Sequence, residues 1–186
     1  MTYLSKKNSR PGFSLPEVIT SLAIIVIITA IFLANYKDAS KRNDLASSAQ
    51  NVVSDIHLAQ SYALGLAEYN GDVPSGGWGL HFDNTTGNSD HYIIFADINS
   101  NKRYDSGEEV ANSGGRTIYF SRDIKVKEFN HVTSPLDITF VPPDPITSIT
   151  GGAGTSTEAD IVLTELGKNT TKTITINFLG LTEVIE

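Results

Sequence analysis

The segment Asp97-Ile98-Asn99-Ser100-Asn101-Lys102-Arg103-Tyr104-Asp105-Ser106-Gly107-Glu108 carries oxygen side chains at its first, third, fifth, ninth and twelfth positions: Asp97, Asn99, Asn101, Asp105 and Glu108. Arg103, the seventh, can add its main-chain carbonyl. Calcium takes six to eight oxygen ligands, and this is the ligand spacing of a calcium loop of the EF-hand kind. Two features weigh against it. The sixth residue, normally a glycine that makes the sharp turn, is Lys102, and the preceding Tyr92–Ala96 reads as a strand rather than a helix. The same residues also suit an Asx-rich turn joining two strands, closed by its own side chains. Both readings stand. A calcium ion held here would be structural rather than catalytic, and no other cofactor is required.

A second carboxylate stands in an unusual place. Residues Val18 to Ala34 form a run of 17 residues without a charge, and Glu17 immediately precedes it. As a helix the run spans roughly 26 Å, close to the hydrocarbon thickness of a bilayer. An acid at the edge of a membrane span is costly unless paired, so Glu17 asks for a cationic partner. Lys6, Lys7 and Arg10 precede it with no acid among residues 1–12, which predicts a cytoplasmic amino terminus and an extracytoplasmic remainder. A cleaved secretory signal fits less well, because the apolar run is long and Asn35-Tyr36-Lys37-Asp38 is a poor cleavage site.

The rest of the composition excludes more than it suggests. The 186 residues contain no cysteine, which removes disulfides, thiol nucleophiles and cysteine-ligated metals. No two of His57, His81, His91 and His131 have metal-ligand spacing on a helix, and neither a phosphate-binding glycine loop nor a Gly-x-Ser-x-Gly elbow occurs. The chain is therefore not expected to be an enzyme. From Asn43 onward 8 Lys and Arg face 19 Asp and Glu, a net of −11, which disfavours nucleic acid as a general partner.

Gly12-Phe13-Ser14-Leu15-Pro16-Glu17, with a basic segment before it and an apolar run after it, resembles the processing motif of type IV pilins and type II secretion pseudopilins. That resemblance implies a prepilin leader over residues 1–12, cut after Gly12 by a prepilin peptidase that also methylates the new terminus at Phe13. It implies that Glu17 pairs with the amino terminus of a neighbouring subunit during assembly. The implied partners are the peptidase and methyltransferase, other pilins or pseudopilins, an inner-membrane assembly platform and membrane lipid. The implied location is a single pass of the inner membrane, then a pilus or pseudopilus. Pro16 stands where the family more often has leucine or isoleucine; it loses no hydrogen bond in a first helical turn, and its ring would crowd the carbonyl four residues back, that of Gly12, which cleavage removes, so it suits a mature helix starting at Phe13 better than an uncleaved one.

The elements that position these residues follow from periodicity. No glycine or proline lies between Glu17 and Gly65, and Leu45, Ala49, Val52, Val53, Ile56, Ala59, Ala63 and Leu66 recur at spacings of three and four. One helix from about Phe13 to about Tyr69 is expected, roughly 85 Å if straight, with a transmembrane half (13–36) and an amphipathic half (37–69). Asn70-Gly71-Asp72-Val73-Pro74 should end it. Residues 70–186 should form a β-rich head with strands at Trp78–Phe82, Tyr92–Ile98, Arg116–Phe120, Ile124–Phe129, Asp137–Val141, Asp160–Leu166 and Lys172–Phe178. Pro142 to Thr157 reads as a long, exposed and mobile connection. The expected class is α+β, a pilin-like fold with one long helix packed on an antiparallel sheet. The Ala-rich helix end, Gly76-Gly77-Trp78-Gly79 and the Asp/Asn-rich loop make the chain most similar to H-type minor pseudopilins and the related FimT-type pilins. Two alternatives remain open: a surface protein that never assembles, with a calcium- or ligand-binding head, and a DNA-uptake pilin.

Overall fold

The computed structural model describes residues 12–110, 117–143 and 146–185, with side chains 34–42 left aside. Its contacts divide the chain into two units, Met1–Ser40 and Lys41–Glu186. One helix, α1 (Leu15–Leu64), is followed by ten strands, so the class is α+β. The leader expected over residues 1–12 lies outside the described residues except for Gly12.

In the first unit, α1 begins where Ser14 turns its carbonyl to the N–H groups of Glu17 (3.1 Å) and Val18 (3.2 Å). Pro16 falls in the first turn, where its missing N–H costs nothing. Gly12 to Ser14 are not helical, so the Pro16 ring meets no helical carbonyl four residues back, and this proline does not favour a cleaved over an uncleaved chain. Leu15–Leu33 is long and apolar enough to cross a membrane, and none of it is buried within the protein.

In the second unit, Leu45, Ala49, Val52, Ile56, Ala59 and Ala63 are fully or almost fully buried, as the helical stripe requires. Leu66 is exposed, because the helix stops before it. The Ala67 N–H bonds to the Tyr62 carbonyl (2.9 Å) and the Leu66 N–H to the Ala63 carbonyl (3.3 Å), while Leu66 takes a φ of +50°. This is a Schellman cap with leucine where glycine is commoner. The expected terminator Asn70-Gly71 instead forms a tight turn beyond the helix, with φ of +55° and +94° and Tyr69 bridged to Asp72.

The strands are β1 (Gly77–Phe82), β2 (His91–Asp97), β3 (Thr117–Tyr119), β4 (Ile124–Asn130), β5 (Leu136–Val141), β6 (Ile146–Gly151), β7 (Gly154–Ser156), β8 (Glu158–Glu165), β9 (Thr171–Asn177) and β10 (Thr182–Ile185). They form two antiparallel sheets, ordered β3-β2-β1-β5-β6-β7 and β10-β9-β8-β4. Period-two alternation places the inner faces. Leu80 and Phe82, Tyr92 and Ile94, Ile138 and Phe140 bury one face of the larger sheet, and Ile161 and Leu163, Ile174 and Ile176 one face of the smaller. These faces and the α1 stripe make one core. Two of its aromatic side chains also find polar partners: the Tyr92 hydroxyl donates to Asp55 (2.7 Å) and the Trp78 indole N–H to the Ala67 carbonyl (3.2 Å).

The seven expected strands are present, shifted by a residue or two, with Arg116 outside the described residues. The segment read as a mobile connection is not one. After Pro142 and Pro143 it forms β6, paired along its whole length with β5, and turns into β7. A tenth strand, β10, follows the turn at Phe178–Leu181, where the Asn177 carboxamide oxygen accepts from the Leu179 (3.0 Å) and Leu181 (3.2 Å) N–H groups.

Candidate functional site

The amino-terminal segment presents its chemistry openly. Gly12 is outside the helix and exposed, Phe13 is 82% exposed, and Glu17 stands in the first helical turn with its side chain exposed. A carboxylate there also suits the partial positive charge of the helix start. The three hydroxyls of the following apolar stretch turn inward on their own backbone. Thr20 donates to the Pro16 carbonyl (3.0 Å), Ser21 to Glu17 (2.7 Å) and Thr29 to Ile25 (2.7 Å). In a medium without hydrogen-bonding partners this hides the donors within the helix itself.

The acidic loop lies on the outer face of the larger sheet, away from the main core. Gly76 and Gly79 make room for it. A side chain on Gly76 would sit 2.1 Å from the Asp97 carboxylate, and one on Gly79 would sit 2.8 Å from the Phe95 ring. Phe95 is fully buried yet points away from α1, so something must cover it. Tyr104 does, edge-on with ring centres 5.7 Å apart. The loop then returns beside β2 through the Ala96 N–H to the Glu108 carbonyl (3.0 Å) and a bridge between Phe95 and Glu109. The Arg103 guanidinium ties its middle to the Gly151 carbonyl (3.0 Å), and the Tyr69 hydroxyl ties its end to the Glu109 carbonyl (2.7 Å).

Each expected calcium ligand can now be placed. Asp97 is fully buried, and its two oxygens accept from the Asn101 (3.2 Å) and Lys102 (2.8 Å) N–H groups. Glu108 is almost fully buried, and its oxygens accept from the Ile98 (3.1 Å) and Asp105 (3.0 Å) N–H groups. The Asn99 and Asn101 amides both donate to one Asp105 oxygen, at 2.7 and 2.6 Å, and their carbonyls accept from the Asn101 and Arg103 N–H groups. The side chains at positions three, five and nine therefore converge, and those at one and twelve close the loop. Lys102 has a φ of +61°, the left-handed conformation that glycine adopts most easily. The missing glycine thus did not prevent the turn. Hydrogen bonds satisfy the loop as an Asx-rich turn, and among the described residues no three His, Asp or Glu side chains form a ready metal group.

Tyr104 and Asp137 are the residues that sequence reasoning missed. The Tyr104 N–H donates to Asp137 (3.3 Å) and its hydroxyl to Glu109. Burial, the bond to Glu109 and the charges of Glu109 and Glu108 all push the Tyr104 phenol up, so it stays protonated. The bond from Tyr104 in turn holds the Glu109 carboxyl below its usual range. Tyr104 could have been noticed as the single aromatic in a polar loop. Asp137 carried no signal, because its partners come from other strands.

No family model, no curated protein and no solved structure matches this chain.

Proposed function

We propose that the chain is a subunit, of the minor kind, of a type IV pilus or type II secretion pseudopilus. The observation that carries this reading is the adjacency of two features: Gly12-Phe13-Ser14-Leu15-Pro16-Glu17, and a helix whose next stretch, Leu15–Leu33, is wholly apolar-exposed with one acid at its start. A peptidase needs an accessible backbone at Gly12–Phe13, and both residues are exposed and precede the helix. After cleavage the Phe13 ammonium would be the cationic partner that a carboxylate at the membrane edge requires, supplied by a neighbouring subunit. The same apolar side chains would then pack first against lipid and later against other helices. In this reading the fold is the pilin-like one, the head is extracytoplasmic, and the partners are the peptidase, other pilins and the assembly platform.

The test is the mature amino terminus. Full-length protein is expressed in membranes with and without an active prepilin peptidase, and intact mass is measured. The expected species with peptidase begins at a methylated Phe13. An intact Met1 in the presence of the active enzyme overturns the reading.

A second reading concerns the acidic loop. The positive φ at Lys102 and the convergence of Asn99, Asn101 and Asp105 favour a calcium ion held by Asp97, Asn99, Asn101, the Arg103 carbonyl, Asp105 and Glu108. Calcium would replace the amide-to-Asp105 bonds and clamp the loop over Phe95. Thermal unfolding with calcium and with chelator decides it: a rise in the midpoint that Glu108→Gln abolishes is expected, and equal midpoints leave the Asx turn alone.

A further inference from the structure

His81 and His91 line one polar cavity of about 200 Å³ on the outer face of the larger sheet, with Asp83, Asn88 and Tyr104. Strand register brings them there. His81 on β1 stands opposite Ile93 on β2, and His91 lies two residues before Ile93, so the histidines are diagonal neighbours on one face. Such neighbours have Cα atoms roughly 7–8 Å apart, within reach for long side chains.

Each imidazole is held in the same way. His81 Nδ1 is 2.7 Å from an Asp137 oxygen, and His91 Nδ1 is 2.7 Å from an Asp90 oxygen. An ionised carboxylate can only accept, so each Nδ1 carries the hydrogen and each neutral ring keeps its lone pair on Nε2. Neither Nε2 has a hydrogen-bond partner among the described residues. The two rings are also braced, His81 against Tyr104 (ring centres 4.7 Å apart) and His91 against Tyr119 (5.2 Å). Asp137 is 1% exposed and additionally accepts from the Tyr104 N–H, so it cannot readily turn away from His81. A carboxylate behind an imidazole, fixing its tautomer and raising its basicity, is how proteins prepare histidine to bind a metal.

The surroundings select the class of ligand. The Asp83 carboxylate accepts from the Thr85 N–H, the Thr85 hydroxyl, Asn88 and Ser134. Asp83 lines the cavity, and among the described residues no lysine or arginine does, so an anion is disfavoured. Both Asp83 oxygens are already occupied by those donors. The free donors are thus nitrogens, which suit borderline transition ions better than magnesium or calcium.

We propose that His81 and His91 form an open two-imidazole site for a divalent transition-metal ion of the zinc, copper or nickel kind, with water completing the coordination shell. Coordination would clamp β1 to β2 and fix His81 against Tyr104, joining the site to the acidic loop. The site stands independently of the filament reading.

The experiment uses the full-length chain in detergent at about pH 7.5, where unperturbed imidazole is neutral. Zinc binding is followed by calorimetry in excess calcium, and copper binding by electron paramagnetic resonance. Expected are saturable binding of a single ion and a copper signal split by imidazole nitrogen. His81→Gln and His91→Gln should each weaken binding at least about tenfold, and Asp137→Asn about 10–100-fold while keeping the nitrogen signature. His57→Gln, on α1 and outside the cavity, should bind as the parent does. If Asp137→Asn fails to fold, the surface-proximal His91→Gln decides alone. Absence of saturable binding, or unchanged affinity in the His81→Gln/His91→Gln double variant, overturns the proposal.

Discussion

The two halves of α1 relate hydrophobicity to burial in opposite ways. From Leu15 to Leu33 the helix is rich in isoleucine, valine and leucine, and all of it is exposed; Ile25 and Phe32 show 59% and 70% of their surface. From Leu45 to Ala63 the stripe is half alanine, and Ala49, Ala59 and Ala63 show none. The first half offers large apolar side chains that none of the described residues buries. The second half offers small ones, which let the sheets approach the backbone closely. Hydrophobic content alone would have ranked the two the wrong way round. Burial of roughly 1.5–3 kcal/mol per large apolar side chain is realised only where a partner surface exists.

Substitutions can break that comparison. The largest effect is expected on assembly: if the proposed filament reading holds, Glu17→Ala should insert normally and enter filaments about tenfold less or worse, because the charge proposed to pair with a neighbouring terminus is gone. Equal recovery in sheared filaments would remove Glu17 from the mechanism. Next, one change made in both halves should give unequal results. Ile56→Ala should lower head stability by about 2–5 kcal/mol in denaturant titrations, while Ile25→Ala should move it by no more than about 0.5 kcal/mol. Similar losses from both would show that the first half is also packed against the head. The reverse change sharpens the point about size. Ala59→Leu should overfill the interface and cost about 1–3 kcal/mol, whereas Ala30→Leu, at an exposed position, should leave head stability unchanged.

The smallest effect is a pH dependence within the head. The Asp83 carboxyl is lowered from 3.8 to about 2 in the folded protein. Its contribution is fully present above the unfolded value and fades as pH falls through the folded one. Solvent screening of this partly exposed group limits it to about 1 kcal/mol. Asp83→Asn should therefore lower stability at neutral pH slightly and flatten the decline between about pH 4 and pH 2. An unchanged acid limb would mean that its four hydrogen bonds persist in the unfolded chain.

What could be read from the residues was whatever repeats locally. The α1 stripe has a period that its own residues declare, and Ile174 and Ile176, alternating with Thr173, Thr175 and Asn177, announce β9 and its inward face. β6 was hidden because it buries Thr147, Thr150 and Gly151 between a proline pair and a glycine run, a composition that suits a loop equally well. Pairing with β5 decides the matter, and that pairing is not local. β10 alternates between exposed and half-exposed residues and has no apolar face to betray it. The acidic loop was legible in its spacing, and Lys102 shows that a turn can keep its shape without its usual glycine when Asp97 accepts from the next N–H groups. The cavity was not legible at all. His81 and Asp137 are 56 residues apart, and only strand register makes them partners.

The inward-turned hydroxyls of Thr20, Ser21 and Thr29 have a consequence for the whole apolar segment. A hydroxyl facing outward would need a mate, and each new environment would have to supply one. With all three donating to carbonyls of their own helix, the segment's polar needs are closed within itself, apart from Glu17. Exchange of one apolar surrounding for another then changes no hydrogen bond. The segment is indifferent to which apolar medium holds it, and the single charge at its mouth is the one group left asking for a partner.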